Sequence, residues 1–185
     1  MSETLFPGLP SMERDAAISA DGRYRWSLSR HWGPIESIGR RDWVGWIMLN
    51  PSTADGETDD NTIRQCIAFS RQLGGSGLAV MNLFNFRATD PEDLKKATDP
   101  IAPVGQIEHC NQLILDLWEV CPIVIAAWGT HGCYLGRDRQ VYDLVTRAGR
   151  KLLCMGFTQS GRPRHPLYLP HATRPVEFVM SGGVS

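Results

Sequence analysis

The run Trp43-Val44-Gly45-Trp46-Ile47-Met48-Leu49, followed at once by Asn50-Pro51-Ser52, decides the fold class of this chain. A strand-sized run without a single charged residue is typical of a central strand that is buried on both faces of a parallel sheet. The Asn-Pro-Ser sequence then ends the strand, because these residues favour turns and helix caps. The run therefore predicts the middle of a parallel sheet.

Predicted strands and helices alternate on either side of this run. Four further strands are predicted from apolar or alternating patterns, at residues 23–30, 78–84, 122–127 and 151–155. Helices are predicted at residues 61–73, from about 91, at 103–118 and at 137–148. This rhythm predicts a three-layer α/β fold, with helices on both faces of a mostly parallel central sheet of about four strands. Residues 23–30 are expected at an edge of the sheet, antiparallel to their neighbour.

Composition narrows the classes of protein to consider. Residues 21–180 are predicted to form one α/β domain, and residues 1–20 are taken as an N-terminal extension without periodicity. The chain has 19 basic and 20 acidic residues, so no global field draws it to nucleic acid or to a membrane. No apolar run approaches the roughly 18 residues of a membrane span, and the N-terminus is unlike a signal peptide. We expect a cytoplasmic protein without a cofactor or a metal, of unknown oligomeric state.

Polar residues cluster where predicted strands end. In open α/β sheets ligands bind outside the carboxyl ends of the strands, where loops and helix N-termini converge. Four segments of the sequence meet this description, at residues 50–55, 82–90, 128–132 and 158–168. The predicted catalytic residues are Asn50 and His165, and the predicted substrate-binding residues are Pro51, Ser52, Asn82, Arg87, Asp90, Trp128, Gly129 and His131.

Two asparagines stand out among these residues. Asn50 could orient a water molecule or read an amide-like edge of a base, or it could simply make a turn and cap the next helix. Asn82 lies in an otherwise apolar strand, so a buried position would require hydrogen-bond partners. It could bridge strands, but its place at the carboxyl end favours recognition of a ligand.

Each of the remaining candidates has a functional and a structural interpretation. Trp128-Gly129 could form a stacking surface for a base or could pack in the core. His131 and His165 could act as acid, base or electrophile, and proline residues stiffen the loop around His165. Arg87 and Asp90 could bind a phosphate or could form a loop clamp. Asp55, Asp59 and Asp60 could bind a metal ion, but this interpretation is less favoured, because an acidic loop of this kind more often caps a helix.

The ordered motifs resemble the DUF1643 family, a domain of unknown function found in bacterial and phage proteins. The resemblance covers about residues 20 to 170 and is carried by the segments Tyr24–Arg30, Met48–Asp55, Asp59–Arg64, Asn82–Phe84, Arg87–Pro91, Ala127–Gly129 and His165–Leu169. It implies no established activity.

A more distant resemblance is to the uracil-DNA glycosylase superfamily. That superfamily has an Asn-Pro or Asp-Pro motif after its first core strand, an asparagine at the end of the next strand, and a late His-Pro motif. The resemblance implies that Asn50-Pro51 orients water, that Asn82 reads the base, and that His165-Pro166 stabilises the departing base. The sequence Pro166-Leu167-Tyr168 differs from the serine-proline continuation of those enzymes.

Two functions from different classes follow. The first is an enzyme that acts on a nucleobase, nucleotide or nucleic acid, in the manner of an N-glycosylase. The second is a nonenzymatic nucleotide- or nucleic-acid-binding module that uses Arg87, Trp128 and a basic rim. The rim would comprise Arg162, Arg164, His165, His171 and Arg174. A metal-dependent hydrolase is a third alternative.

Overall fold

The computed structural model describes residues 12–34, 42–52 and 54–180, which form a mixed α/β fold. The strands are β1 (Glu13–Ile18), β2 (Arg25–His31), β3 (Val44–Met48), β4 (Gly77–Asn82), β5 (Ile123–Ala126), β6 (Leu153–Cys154) and β7 (Val176–Glu177). The helices are α1 (Asn61–Gln72), α2 (Pro91–Leu94), α3 (Ile107–Val120) and α4 (Arg137–Arg147), and a 3₁₀ segment at Thr130–Gly136 precedes α4.

All seven strands belong to one sheet, in the order β1-β2-β4-β3-β5-β6-β7. Strands β4, β3, β5 and β6 pair in parallel, whereas β1, β2 and β7 run antiparallel to their neighbours. Every residue of β3 is buried. The prediction of a central strand at residues 43–49 within a four-stranded parallel core is therefore confirmed.

Helices cover both faces of this sheet, as the sequence predicts. On one face, Cys66 and Phe69 of α1 pack against Trp46 and Val80. On the other face, Ile114 of α3 and Val141 of α4 belong to a second apolar cluster. Successive residues of a strand point to opposite faces, so Trp46 and the adjacent Ile47 contribute to different clusters. Both layers of helices are thus held by continuous apolar contact with the sheet.

The prediction that residues 23–30 form an edge strand is wrong, because β1 pairs along the outer side of β2. The sheet also ends in β7 rather than in β6, and so has more strands than expected. Neither outer strand carries an apolar alternation. Glu13, Arg14 and Asp15 are exposed in β1, and both residues of β7 are exposed. Backbone pairing rather than side-chain burial fixes such strands, and a hydrophobic pattern does not reveal them.

Strand β2 is also more deeply buried than its half-polar pattern predicts. Arg25 and Arg30 are 2% and 0% exposed. Arg30 donates to Asp59 Oδ1 at 2.7 Å and to the carbonyl oxygen of Asp55 at 2.6 Å. It thereby ties β2 to the loop that leads into α1, and this loop forms one side of the site described next.

Among the described residues, no helix is both long and apolar enough to cross a membrane.

Candidate ligand-binding site

A cavity of about 570 Å³ opens at the carboxyl ends of β3 and β4, beside the loop that follows β5. Seven of the predicted site residues line it: Asn50, Ser52, Asn82, Trp128, Gly129, His131 and His165. The lining is completed by Arg25, Met48, Leu49, Asp60, Asn61, Thr62, Ile63, Ala88, Thr89, Thr130 and Leu167. The volume falls within the roughly 300 to 1,000 Å³ of small-molecule sites.

Asn82 and Arg25 form a buried polar pair in the cavity lining. Asn82, the last residue of β4, is 2% exposed, and its Oδ1 accepts a hydrogen bond from Arg25 Nη2 at 3.2 Å. A guanidinium group only donates, so the amide oxygen must face Arg25 and the amide NH2 must point elsewhere. No described residue accepts a hydrogen bond from Asn82 Nδ2. A buried donor without a partner is costly, and Asn82 therefore offers a donor to a ligand in the cavity.

Arg25 is the main site residue that the sequence reading missed. Its Nη1 donates to the Ala54 carbonyl oxygen at 2.9 Å, and its Nε has no partner among the described residues. Burial lowers the pKa of Arg25 to about 10, although the nearby carboxylate of Asp60 opposes this shift. The side chain therefore stays charged at neutral pH. Because β2 is antiparallel to β4, with Leu28 opposite Val80, the start of β2 lies at the carboxyl end of β4. The predicted antiparallel pairing was the signal that could have identified Arg25.

Asn50 is held in place by its own amide group. Its Nδ2 donates to the carbonyl oxygens of Ala88 at 2.7 Å and Pro51 at 3.0 Å. Both donors are thus used to join the loop after β3 to the loop after β4. No described residue donates to Oδ1, so Asn50 presents a fixed acceptor at the cavity wall. The turn-making and the functional interpretations of Asn50 are therefore compatible.

The N-terminus of α1 forms another wall of the cavity. Asp60 caps the helix, since its Oδ1 accepts a hydrogen bond from the Ile63 N–H at 2.8 Å. Asn61 and Thr62 follow at the cavity edge. Asp60 Oδ2 remains available to a ligand or a water molecule. The sequence pattern identifies Asp60 only as part of an acidic loop. A capping aspartate has the same local pattern whether or not it faces a cavity.

His165 contributes a donor from the opposite loop. The Leu167 N–H donates to Nδ1 at 3.3 Å, so the proton of the neutral ring resides on Nε2. Burial lowers the pKa of His165, and the charge of Asp60 partly opposes the shift. The ring is therefore neutral at pH 7, with Nε2–H as a hydrogen-bond donor.

Trp128 belongs to the core and also to the cavity. It is 1% exposed and packs edge to face on Phe178, with ring centroids 5.5 Å apart. Gly132 lies directly against its indole ring, where a Cβ atom would overlap Cδ1. Trp128 Nε1 has no partner among the described residues. The core-packing interpretation thus accounts for most of the ring, and one unsatisfied donor remains beside the cavity.

Three predicted site residues do not line this cavity. The carbonyl oxygen of Pro51 accepts hydrogen bonds from Asn50 and from the Ala88 N–H, so Pro51 has a supporting position. Arg87 donates to the Gly22 carbonyl oxygen at 3.2 Å and lines a separate groove. Asp90 caps α2 through the Glu92 N–H at 2.9 Å.

The acidic side chains of residues 55–60 contact other residues of the protein. Asp59 forms ion pairs with Arg30 and Arg14, and Asp55 accepts hydrogen bonds from the N–H groups of Glu57 and Thr58. Within the described ranges, no group of three or more His, Cys, Asp or Glu side chains is placed to hold a metal ion. These contacts favour the helix-capping interpretation of residues 55–60.

The chain is thus an α/β protein with a cavity at the carboxyl edge of its parallel strands. Residues 25–167 match the family model described as a protein of unknown function, DUF1643, and the chain belongs to this family. The match begins at Arg25 and ends at Leu167, so it includes every residue that lines the cavity. No curated protein and no solved structure matches the chain. The resemblance to uracil-DNA glycosylases therefore gains no support from these comparisons.

Proposed function

We propose that the chain binds a nucleobase that is part of a nucleoside, nucleotide or nucleic acid, and hydrolyses the N-glycosidic bond between this base and its sugar. The observation that carries the proposal is the buried Asn82 amide, which is oriented by Arg25 and has an unpartnered NH2 group at the cavity wall. Such a fixed donor suits the carbonyl oxygen or ring nitrogen of a base.

Two further unpartnered donors belong to residues that line the cavity, and they support the same class of ligand. Arg25 Nε and Trp128 Nε1 are donors without acceptors among the described residues. Unpartnered donors in the lining favour a ligand whose edge carries hydrogen-bond acceptors. A base with ring carbonyl groups has such an edge. The apolar side chains of Met48, Ile63 and Leu167 supply surfaces for a flat ring.

The cavity also contains the groups that hydrolysis requires. Cleavage breaks the bond between the sugar C1′ and the base nitrogen, whose electron pair leaves with the base, while a water oxygen bonds to C1′. Asn50 Oδ1 would orient this water, and Asp60 Oδ2 would accept its proton. His165 Nε2–H would donate a hydrogen bond to the departing base, where negative charge develops. The proton that Asp60 accepts would return through solvent to the base anion, so the products are the neutral free base and the sugar with a hydroxyl group at C1′.

The proposal is tested first by binding. Thermal unfolding is measured with a panel of bases, nucleosides, nucleotides and short DNA, because a ligand of the folded state raises Tm. Asn82→Asp retains an acceptor for Arg25 but replaces the NH2 donor with an oxygen, so the Tm shift should disappear. The matched control is Asn111→Asp on α3, outside the cavity, which should bind like the unsubstituted chain.

Turnover is tested with the compound that binds. Release of free base under single-turnover conditions should fall by about 10² or more in His165→Ala, since one donor aimed at developing charge contributes roughly 10² to 10³. Asn50→Ala should lower it by about 10², since the attacking water loses its position. Binding should be less affected in both variants. Binding that depends on Asn82 without any base release would contradict the enzymatic half of the proposal. It would favour a nonenzymatic nucleotide-binding module. If no member of the panel raised Tm, the whole proposal would be wrong.

A further inference from the structure

The loop that carries His165 also presents an exposed tyrosine in an unusual conformation. Tyr168 is 90% exposed and has a φ of +67°. It occupies the third position of a turn closed by the Leu169 N–H and the Pro166 carbonyl oxygen at 3.2 Å. Glycine adopts this φ without strain, whereas a bulky side chain does so rarely. A strained and exposed aromatic residue adds nothing to the core, and such outliers occur preferentially at functional sites.

Tyr168 is fixed at the rim of the cavity by its neighbours. Leu167 lines the cavity, and Leu169 is buried. The carbonyl oxygen of Leu169 accepts a hydrogen bond from Gln65 of α1 at 3.3 Å, and the His171 ring lies 6.2 Å from that of Phe69. The turn is therefore held between the cavity and α1, with the tyrosine ring directed away from the core.

The same region concentrates positive charge in a chain whose net charge is −1. No acidic residue occurs between Asp143 and Glu177, and of the six lysine or arginine residues in this stretch Arg150 and Lys151 pair with Glu119 and Glu177. Arg164 and Arg174 are exposed on either side of Tyr168 in sequence. Arg162 is excluded from this surface because it pairs with Asp138 at 2.7 Å. Tyr168, Arg164 and Arg174, which we call the rim, are thus exposed in the same short stretch of chain as His165 and Leu167 of the cavity lining.

We infer that this rim binds a single-stranded nucleic acid, with one base stacked on Tyr168 and the adjacent phosphates beside Arg164 and Arg174. Aromatic side chains stack on unpaired bases, and arginine side chains neutralise the backbone. A base in a duplex is already stacked, so an exposed tyrosine favours a single strand. The inference deepens the proposed function, because a strand on the rim would present its next base to the cavity.

The test is fluorescence anisotropy with labelled strands of about 12 nucleotides, a length within the usual range for single-strand sites. Oligo-dT, oligo-U and a DNA hairpin are compared, so that DNA, RNA and duplex are distinguished. Tyr168→Ala should weaken single-strand binding by about tenfold or more, and Tyr168→Phe by about twofold at most. Tyr168→Gly should raise or preserve Tm while it weakens binding as much as Tyr168→Ala. If Tm rises or is unchanged in Tyr168→Gly while the affinity falls, the loss of binding does not come from unfolding.

The contribution of the arginine residues of the rim is tested through the salt dependence of binding. The logarithm of affinity should depend on the logarithm of salt concentration, and Arg164→Gln should reduce the slope by about 0.7. Arg71→Gln, near the far end of α1, is the charge-matched control and should leave the slope unchanged. The inference is overturned if single strands do not bind, if Tyr168→Ala binds them equally well, or if the hairpin binds better.

Free nucleosides separate this inference from the proposed function. Nucleoside binding that depends on Asn82 and persists in Tyr168→Ala, without strand binding by the unsubstituted chain, would overturn the rim and retain the cavity. Strand binding that depends on Tyr168 but not on Asn82, without release of free base, would support the rim and overturn the proposed function.

Discussion

The most direct test of how the fold builds this site concerns the buried ion pair behind it. Arg30 is 0% exposed and donates to Asp59 and to the carbonyl oxygens of Asp55, Ser29 and Asp15. Arg30→Met removes these bonds and leaves Asp59, which is 9% exposed, with Arg14 as its one ion-pair partner among the described residues. Removal of one partner from a buried pair costs about 3–5 kcal/mol. That is a large part of the roughly 5–15 kcal/mol by which native domains are stable.

Two further variants show whether geometry or charge is responsible. Arg30→Lys keeps the charge but cannot reproduce the planar fork, so we expect a loss of about 2 kcal/mol. Arg14→Met removes the other, 36% exposed partner of Asp59 and should cost less than about 1 kcal/mol. Urea unfolding followed by tryptophan fluorescence measures all three free energies. If Arg30→Met and Arg14→Met lost equal stability, or if Arg30→Lys lost none, the reasoning would be refuted.

The remaining predictions concern the cavity wall. Gly132→Ala should lower the free energy of unfolding by about 1–3 kcal/mol in urea titrations, because the added methyl group overlaps the Trp128 ring; an unchanged value would show that the ring moves freely. For His165, burial lowers the pKa below its ordinary 6.5, so the unfolded chain binds a proton that the folded chain does not. The stability linked to this residue is therefore fully present above about pH 6.5 and is lost as the pH falls through the lowered pKa. His165→Gln should flatten the dependence of urea midpoints between about pH 7.5 and about pH 5. The same slope in both proteins would argue against this assignment.

Much of the fold follows from hydrophobic pattern alone. The apolar run at residues 43–49 predicts β3, and α1 and α4 begin at the predicted residues, Asn61 and Arg137. Asp60 explains the start of α1, because a capping aspartate is a strong boundary signal, and Gly149, with a φ of +70°, explains why α4 ends close to the predicted residue. The outer strands were missed for the opposite reason, because exposed residues such as Glu13 and Glu177 carry no period-two pattern.

The candidate site was predicted in part. Topology brings residues after parallel strands together, and this places Asn50, Asn82, Trp128 and His165 around one cavity. Arg25 was missed because an arginine in an alternating strand normally faces solvent. Its burial depends on acceptors that are distant in sequence, Asn82 and Ala54. Such long-range partners leave no local signal.

In the proposed complex, the Asn82 NH2 group donates a hydrogen bond to an acceptor on the bound base. A crystal structure with the base or nucleoside that raises Tm tests this contact most directly. We predict a carbonyl oxygen or ring nitrogen of that ligand within about 3.2 Å of Asn82 Nδ2, with Arg25 still bonded to Oδ1. A ligand bound outside the cavity, or one inside it that leaves Nδ2 without an acceptor, would contradict the account.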